Sequence, residues 1–266
     1  MTTELVTKSL RDNRSSTIGW GLALVASVAL QLAVYPTVRA AAVDFEQLLA
    51  SYPEAFKAVF NVRQSPGSGV GYLQGEVFGF LAPLVLLGVT IGHAAKATAG
   101  EEHAHTMDLL LANPVSRTRL LLGKALGALT DLAIITVVFG AVLVVGSSIS
   151  GLDVPVSDLL GAVLASAVVV LPFGALALLV GALSGRPGLA VAVPVGLALL
   201  TFLLNALTPL SESLKPWRVL SPFHHAAVND ALTGDPNWTG LAGLLVVTGL
   251  LVAGAVAAFE RREVRS

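Results

Sequence analysis

LLGAVLASAVVVLPFGALALLVGAL, residues 159–183, carries no charged side chain and a single hydroxyl, Ser166. The hydrocarbon core of a bilayer is about 30 Å thick and needs about 20 apolar residues in a helix. This stretch exceeds that length, and five others reach it: residues 17–35, 72–93, 120–147, 189–207 and 241–259. The expected fold class is therefore an all-α membrane protein with six transmembrane helices.

Composition agrees. Of 266 residues 55% are hydrophobic and 12% charged, against about 25% charged in a soluble domain, and the mean hydropathy is +0.79. No cysteine is present, which excludes a disulfide framework and thiolate metal sites. A net charge of −1 gives no sign of a nucleic-acid partner. The first apolar run is too long for a signal-peptide core and reads as a retained anchor. With no tandem repeat or low-complexity tract, residues 1–266 read as one domain.

Six spans put both termini on one side, and the bias of Lys and Arg toward cytoplasmic loops chooses it. Eleven basic residues, Lys8, Arg11, Arg14, Lys96, Arg117, Arg119, Lys124, Arg186, Arg261, Arg262 and Arg265, fall on the side of the termini. Five, Arg39, Lys57, Arg63, Lys215 and Arg218, fall on the other. The termini are expected in the cytoplasm of a plasma-membrane protein. Residues 2–14 set Leu5, Val6 and Leu10 against Lys8, Arg11 and Arg14, the pattern of an amphipathic helix lying along the inner leaflet. Outer loops are expected at 36–71, 149–158 and 208–240, the first with one or two short helices.

Between the second and third spans lies an acidic, leucine-faced segment, GEEHAHTMDLLLANPVSR, residues 100–117. Thr98 and Glu101 have capping-box spacing, and Glu101 and Glu102 complement the positive end of a helix dipole. Pro114 stops the helix by restricting Asn113, and Ser116 is placed to cap the next one. A rigid cytoplasmic helix of about three turns, near 18 Å, results. His103 and His105 with the neighbouring acids do not form a metal site, because H-x-H on a helix sends the rings about 200° apart, unlike the i, i+4 pair of H-E-x-x-H. His224 and His225 read as interfacial side chains.

Charges within spans are costly and mark partners or pathways. Glu76 lies near the outer end of the second span, and Asp131 lies inside the third on the same helical face as Lys124, which points to a buried pair or a helix–helix hydrogen bond more than to a substrate-contacting role. Pro83, Pro172 and Pro194 are expected to kink or break their spans. Gly174, Gly181 and Gly196 permit close packing or gating. No G-x-S-x-G elbow and no paired intramembrane aspartates occur, against an intramembrane hydrolase. No G-x-x-x-x-G-K-[ST] occurs, so the chain builds no phosphate-cradling loop.

From Ala99 to Lys124 the sequence resembles the hallmark of ABC-2 type exporter permeases, in which A-G-E-E-x-x-x-G-T-[LM]-[DE]-L-L-L-[AS]-x-P-[VL]-[ST]-R leads into the third span, with His105 standing where that pattern usually has glycine. Residues 259–264, FERREV, are similar to the family's F-x-R-R-[DE]-[LV] ending, and 220–225, LSPFHH, resemble an element of its last outer loop. The resemblance implies a non-catalytic permease subunit whose segment between spans 2 and 3 is a coupling helix seated in a separate ABC ATP-binding subunit. Glu101, Glu102, His105, Thr106, Asp108, Leu109, Pro114 and Arg117 would make that contact. It implies no cofactor bound by this chain, ATP and Mg²⁺ on the partner, and a second permease chain completing a homo- or heterodimer in the lipid bilayer. The substrate would be amphipathic, a drug, antibiotic or lipid, moved outward. The permease type of copper-enzyme maturation shares the middle motif and is the alternative, followed by an ATP-independent scaffold or sensor.

Overall fold

A computed structural model describes residues 2–42, 52–53, 65, 67–100 and 116–261. Among the described residues there is no strand, and six helices are long and apolar enough to cross a membrane. They are α1 (Thr2–Ala40), a composite second span over Gly69–Gly100, α4 (Arg117–Ser150), α5 (Val156–Ser184), α6 (Pro187–Leu207) and α9 (Trp238–Arg261). The second span joins α2 (Gly69–Tyr72), π-helical turns Leu73–Leu81, α3 (Ala82–Ala95) and further π-helical turns Lys96–Gly100. Between α6 and α9 lie 3₁₀ turns Thr208–Leu210 and Glu212–Leu220, then α7 (Pro222–Ala226) and α8 (Val228–Ala231). Every expected apolar run lies inside one of the six, and each helix extends past it.

The middle of the bundle belongs to α5, which packs on α3, α4, α6 and α9. An apolar surface fits lipid as well as protein, so what draws neighbours to α5 is its small residues, Ala162, Ala165, Ser166, Gly174, Ala177 and Gly181 among them, which are buried and let backbones approach closely. In its most apolar window 67% of residues are buried, against 17% in α1 and α9, whose outward faces are left for lipid or partners. Small residues set the spacing. A Cβ on Gly174 would strike the Thr90 side chain, and one on Gly181 would strike Thr98 Oγ1, so α5 lies close along the second span. Gly196 has open space beside it and makes no such approach.

α1 runs parallel to α4, with Leu5 against Gly123, Ser9 against Gly127 and Leu32 against Gly146. The separate amphipathic helix expected over residues 2–14 is here the first part of one helix of 39 residues, about 58 Å long. No residue breaks it, and Ser9 and Asn13, both buried, give it a small polar stripe that docks on α4. It also continues through Pro36, where a loop was expected, to Ala40. There Arg39 Nη1 donates to Gly151 O at 3.0 Å, at the left-handed C-cap of α4 (φ 67°).

Of the three intramembrane prolines, Pro83 follows irregular backbone. It removes the N–H that would bond the Gly79 carbonyl, and the turns before it, Leu73–Leu81, are π-helical. α5 and α6 run as continuous helices through Pro172 and Pro194, so of the kink or break expected there the break does not occur. The segment after α6 folds back on the bundle: buried Ser221 donates to Thr201 O at 2.8 Å, and the Phe223 ring lies 5.9 Å from Phe173 and 5.4 Å from Phe202. The end of the bundle holding Leu5, Gly100, Ser116 and Arg261 is called the terminal face below, and the end holding α7 and α8 the far face.

Candidate functional site

The segment that carries most of the expected coupling contact, with Glu101, Glu102, His103, His105, Thr106, Asp108, Leu109 and Pro114, lies outside the described residues. Both of its flanks are described. On the leading side, Thr98 does not take the N-cap conformation expected of it. The helix continues past it in π turns to Gly100, and its hydroxyl donates back to Ala94 O at 3.4 Å. Held against Gly181 of α5, this exit from the second span is a packed strut.

On the trailing side the expected cap is present. Ser116 is extended (φ −66°, ψ 146°) and its Oγ accepts the Arg119 backbone N–H at 3.3 Å, satisfying one of the four orphan donors of a helix start. The next residues reach across the bundle. Arg117 Nη1 donates to Phe259 O at 3.4 Å, and Thr118 Oγ1 donates to the Glu260 carboxylate. The middle motif and the closing FERREV motif, 142 residues apart, are thus in direct contact. Each was visible in the sequence, but their meeting was not.

Above this junction a chain of polar side chains joins α1, the second span and α4. Asp131, 1% exposed, accepts from Asn13 Nδ2 at 3.1 Å and from Thr17 Oγ1 at 2.9 Å. His93 Nδ1 lies 3.1 Å from its Oδ2, close enough for an ionic contact but not aligned as a hydrogen bond. The other ring nitrogen of His93 is 3.1 Å from Ser16 Oγ. Asn13 extends the chain downward, its Oδ1 accepting from Lys96 Nζ at 3.0 Å, while the same ammonium donates to Asp12 O at 2.8 Å. Lys96 begins the π turns that lead into residue 101.

Asp131 therefore makes the helix–helix hydrogen bonds that were one of its two expected outcomes. Lys124, expected on the same face, stands two turns away, about 10.5 Å along the axis, and is itself buried among the charges of Lys8, Asp12 and Lys96. The residues not foreseen are Asn13, Thr17 and His93. Their signal was faint: Ser9, Asn13 and Thr17 repeat at i, i+4 on one face of α1, and His93 closes an apolar run. Glu76 belongs to a different place. It is exposed near the far face and accepts from Gln31 Nε2 at 3.2 Å, while Tyr72 OH donates to Gln31 O at 2.7 Å. That set pins the upper ends of spans 1 and 2. His224 and His225 stack with ring centroids 5.2 Å apart, and His225 Nε2 meets Val219 O at 2.7 Å.

The terminal face thus presents three things together: a packed exit from span 2, a capped start of span 3 bolted to the end of span 6, and a buried polar chain tying spans 1, 2 and 3. The described residues on either side of 101–115 are thereby tied to four spans. The model of the family described as ABC-2 family transporter protein matches residues 4–264, nearly the whole length of 266. Nothing among the curated proteins compared matches the chain. Six apolar helices, the signature segments and the end-to-end match agree: the chain belongs to the ABC-2 family of transporter proteins, as a multi-pass membrane transport subunit.

Proposed function

We propose that the chain is the permease of an ATP-driven exporter, paired with a second permease chain and driven by a separate ATP-binding subunit seated on residues 101–115. It is not itself a catalyst: with no phosphate-cradling loop in the sequence, ATP and Mg²⁺ belong to the partner. Both termini lie in the cytoplasm of the plasma membrane, in keeping with eleven basic residues on the terminal side against five on the other. The substrate is amphipathic, a drug, antibiotic or lipid, and moves outward from the cytoplasm or inner leaflet.

The observation that carries this reading is the bolt between Arg117–Thr118 and Phe259–Glu260, at the trailing edge of the segment offered to the ATPase. A contact there converts movement of one cytoplasmic segment into movement of two spans. The test is reconstitution of the full chain with the ATP-binding subunit that co-purifies with it in mild detergent. Asp108→Arg is expected to abolish co-purification. Glu260→Ala with Thr118→Val is expected to leave co-purification intact and to cut substrate-stimulated ATP hydrolysis about tenfold, the equivalent of about 1.4 kcal/mol of lost coupling. Failure of any ATP-binding protein to accompany the tagged chain, or an unchanged stimulation in the double variant, overturns the reading.

A further inference from the structure

Basic side chains from three spans converge where α1, the second span and α4 meet near the terminal face. Lys96 leaves the second span there, its Nζ donating to Asp12 O at 2.8 Å and to Asn13 Oδ1 at 3.0 Å. Both acceptors are neutral, and an ammonium carries a third donor. Lys8 stands one turn before Asp12 on the same side of α1, about 6 Å along the axis. α1 lies close on α4 at this level, Leu5 against Gly123 and Ser9 against Gly127, so Lys8 and Lys96 flank the buried Lys124. Lys124 has a partner of its own, and the groups offered to a ligand are Lys8 and Lys96. Both are exposed, and neither makes an ion pair among the described residues. The acids on this part of α1 are Glu4 and Asp12 and the bases Lys8, Arg11 and Arg14, so with Lys96 positive charge prevails.

The depth is that of lipid heads. The first apolar run begins at Thr17, about 7 Å along the helix from Asp12, and the headgroup layer outside the hydrocarbon is about 5–7 Å deep on each side. Above Lys96 the second span is open to lipid along one narrow line. From Val85 to Ala99 its exposed residues are Gly92 and Lys96, one turn apart. A Cβ at Gly92 would meet nothing within 4 Å, and one at Gly88, a turn higher, would lie 3.0 Å from the Trp20 ring. Trp20, itself 37% exposed, is seven residues from Asn13 and so on the same face of α1. An apolar strip with a tryptophan beside it thus ends on an ammonium at headgroup depth. Basic pockets between transmembrane helices at such a depth take anionic heads, and a lysine holds phosphate as a point charge.

We propose that Lys8 and Lys96 bind the phosphate of an anionic phospholipid in the leaflet at the terminal face, with an acyl chain lying along the Gly92 strip beside Trp20. Charge complementarity selects the occupant: a zwitterionic lipid brings an ammonium that the two lysines repel, whereas phosphatidylglycerol brings a phosphate alone. The site stands or falls separately from the direction of transport, the substrate and the ATP-binding subunit.

Trp20 itself reports on the site. Of the three tryptophans, Trp217 and Trp238 belong to the far-face part of the chain, so Trp217→Phe with Trp238→Phe leaves Trp20 as the fluorophore. The full chain is reconstituted in phosphatidylcholine vesicles containing equal fractions of chain-brominated phosphatidylglycerol or chain-brominated phosphatidylcholine. Quenching of Trp20 is expected to show a relative affinity at least about fivefold in favour of phosphatidylglycerol, the factor that one basic residue contributes near an anionic surface. Lys8→Gln with Lys96→Gln should abolish the preference, and either one alone should about halve it. Lys8→Gln changes an exposed side chain and Lys96→Arg keeps charge and donors, so a lost preference in the first and a kept one in the second separate a lost site from a lost fold. Arg261→Gln, which removes an exposed charge from α9, should leave the preference intact. Equal quenching by the two lipids, a preference that survives the paired substitution, or one that falls as far with Arg261→Gln overturns the proposal. Relief of the quenching by inorganic phosphate would assign the lysines to a soluble anion and overturn the lipid as the occupant.

Discussion

Asp131 near the terminal face and Asn229 at the far face are both buried polar side chains in an apolar protein, and their surroundings differ in kind. Asp131 is met by Asn13, Thr17 and His93 from two other spans. Asn229 Nδ2, sealed from water, has no hydrogen-bond partner among the described residues. In hydrocarbon an unmatched polar group is expensive, so side chains that meet across helices, as Asn13, Thr17 and Asp131 do, tie those helices together. Near the terminal face three spans are joined through side chains, while at the far face Asn229 makes no such link among the described residues. That contrast exposes itself to measurement in three ways.

The largest effect belongs to Asp131. Replacing it with leucine strands the Asn13 amide and one side of His93, while the Thr17 hydroxyl keeps its bond to Asn13 O at 3.1 Å. Breaking a buried charged cluster by removing one partner costs about 3–5 kcal/mol. Denaturant unfolding of the full chain in mixed micelles measures the loss, and Asp131→Asn, which keeps the shape and one acceptor, should lose less than half as much. A value for Asp131→Leu near the 0.6 kcal/mol of an average interhelical hydrogen bond would show that packing, and not the polar chain, holds spans 1 and 3 together.

A middle-sized effect is expected from the seam between span 2 and α5. Gly181→Leu drives a side chain into Thr98, and overpacking of this kind costs about 1–3 kcal/mol. Gly196→Leu points into open space and should stay within about 0.5 kcal/mol of the parent. Equal effects at the two glycines would mean that the tight seam at the exit of span 2 is no more constrained than the lipid-facing side of α6.

How much of this was legible beforehand follows from where the determinants lie along the chain. The six spans were readable because backbone hydrogen bonding in a bilayer forces long apolar helices, a demand that each stretch meets by itself. The Ser116 cap was readable for the same local reason. What escaped the sequence was everything between distant residues. Asn13 and Asp131 are separated by 118 positions, so no periodicity within either helix announces the pair. Lys124 looked like the natural partner of Asp131 because seven residues return to the same face, yet two turns of rise place it beyond ion-pair reach. The π turns at Leu73–Leu81 keep an ordinary apolar pattern, so Pro83 announced a kink or break without its form, and those at Lys96–Gly100 lie past residue 93, where the span was expected to end. The segment from residue 101 to 115 remains defined by its motif.

The smallest effect concerns acid, and it separates the two ends again. At the far face burial first, and then the positive charges of Arg218 and His225, lower the pKa of His224, with Asp230 pulling it back up. A histidine whose folded value lies below its unfolded 6.5 is protonated first in the unfolded chain, so stability rises with pH across that window and falls as pH drops through 6.5 toward the folded value. Hydrogen exchange of residues 208–237, corrected for the intrinsic rate, should therefore be faster at pH 5.5 than at pH 7.5, and His224→Gln should remove the difference. Residues 2–20 and 117–135, at the other end of the bundle, serve as the reference. Loosening of the terminal face instead, or a far-face response that persists in His224→Gln, would place the acid-sensitive element in the closed cluster and reverse the assignment of which end yields first.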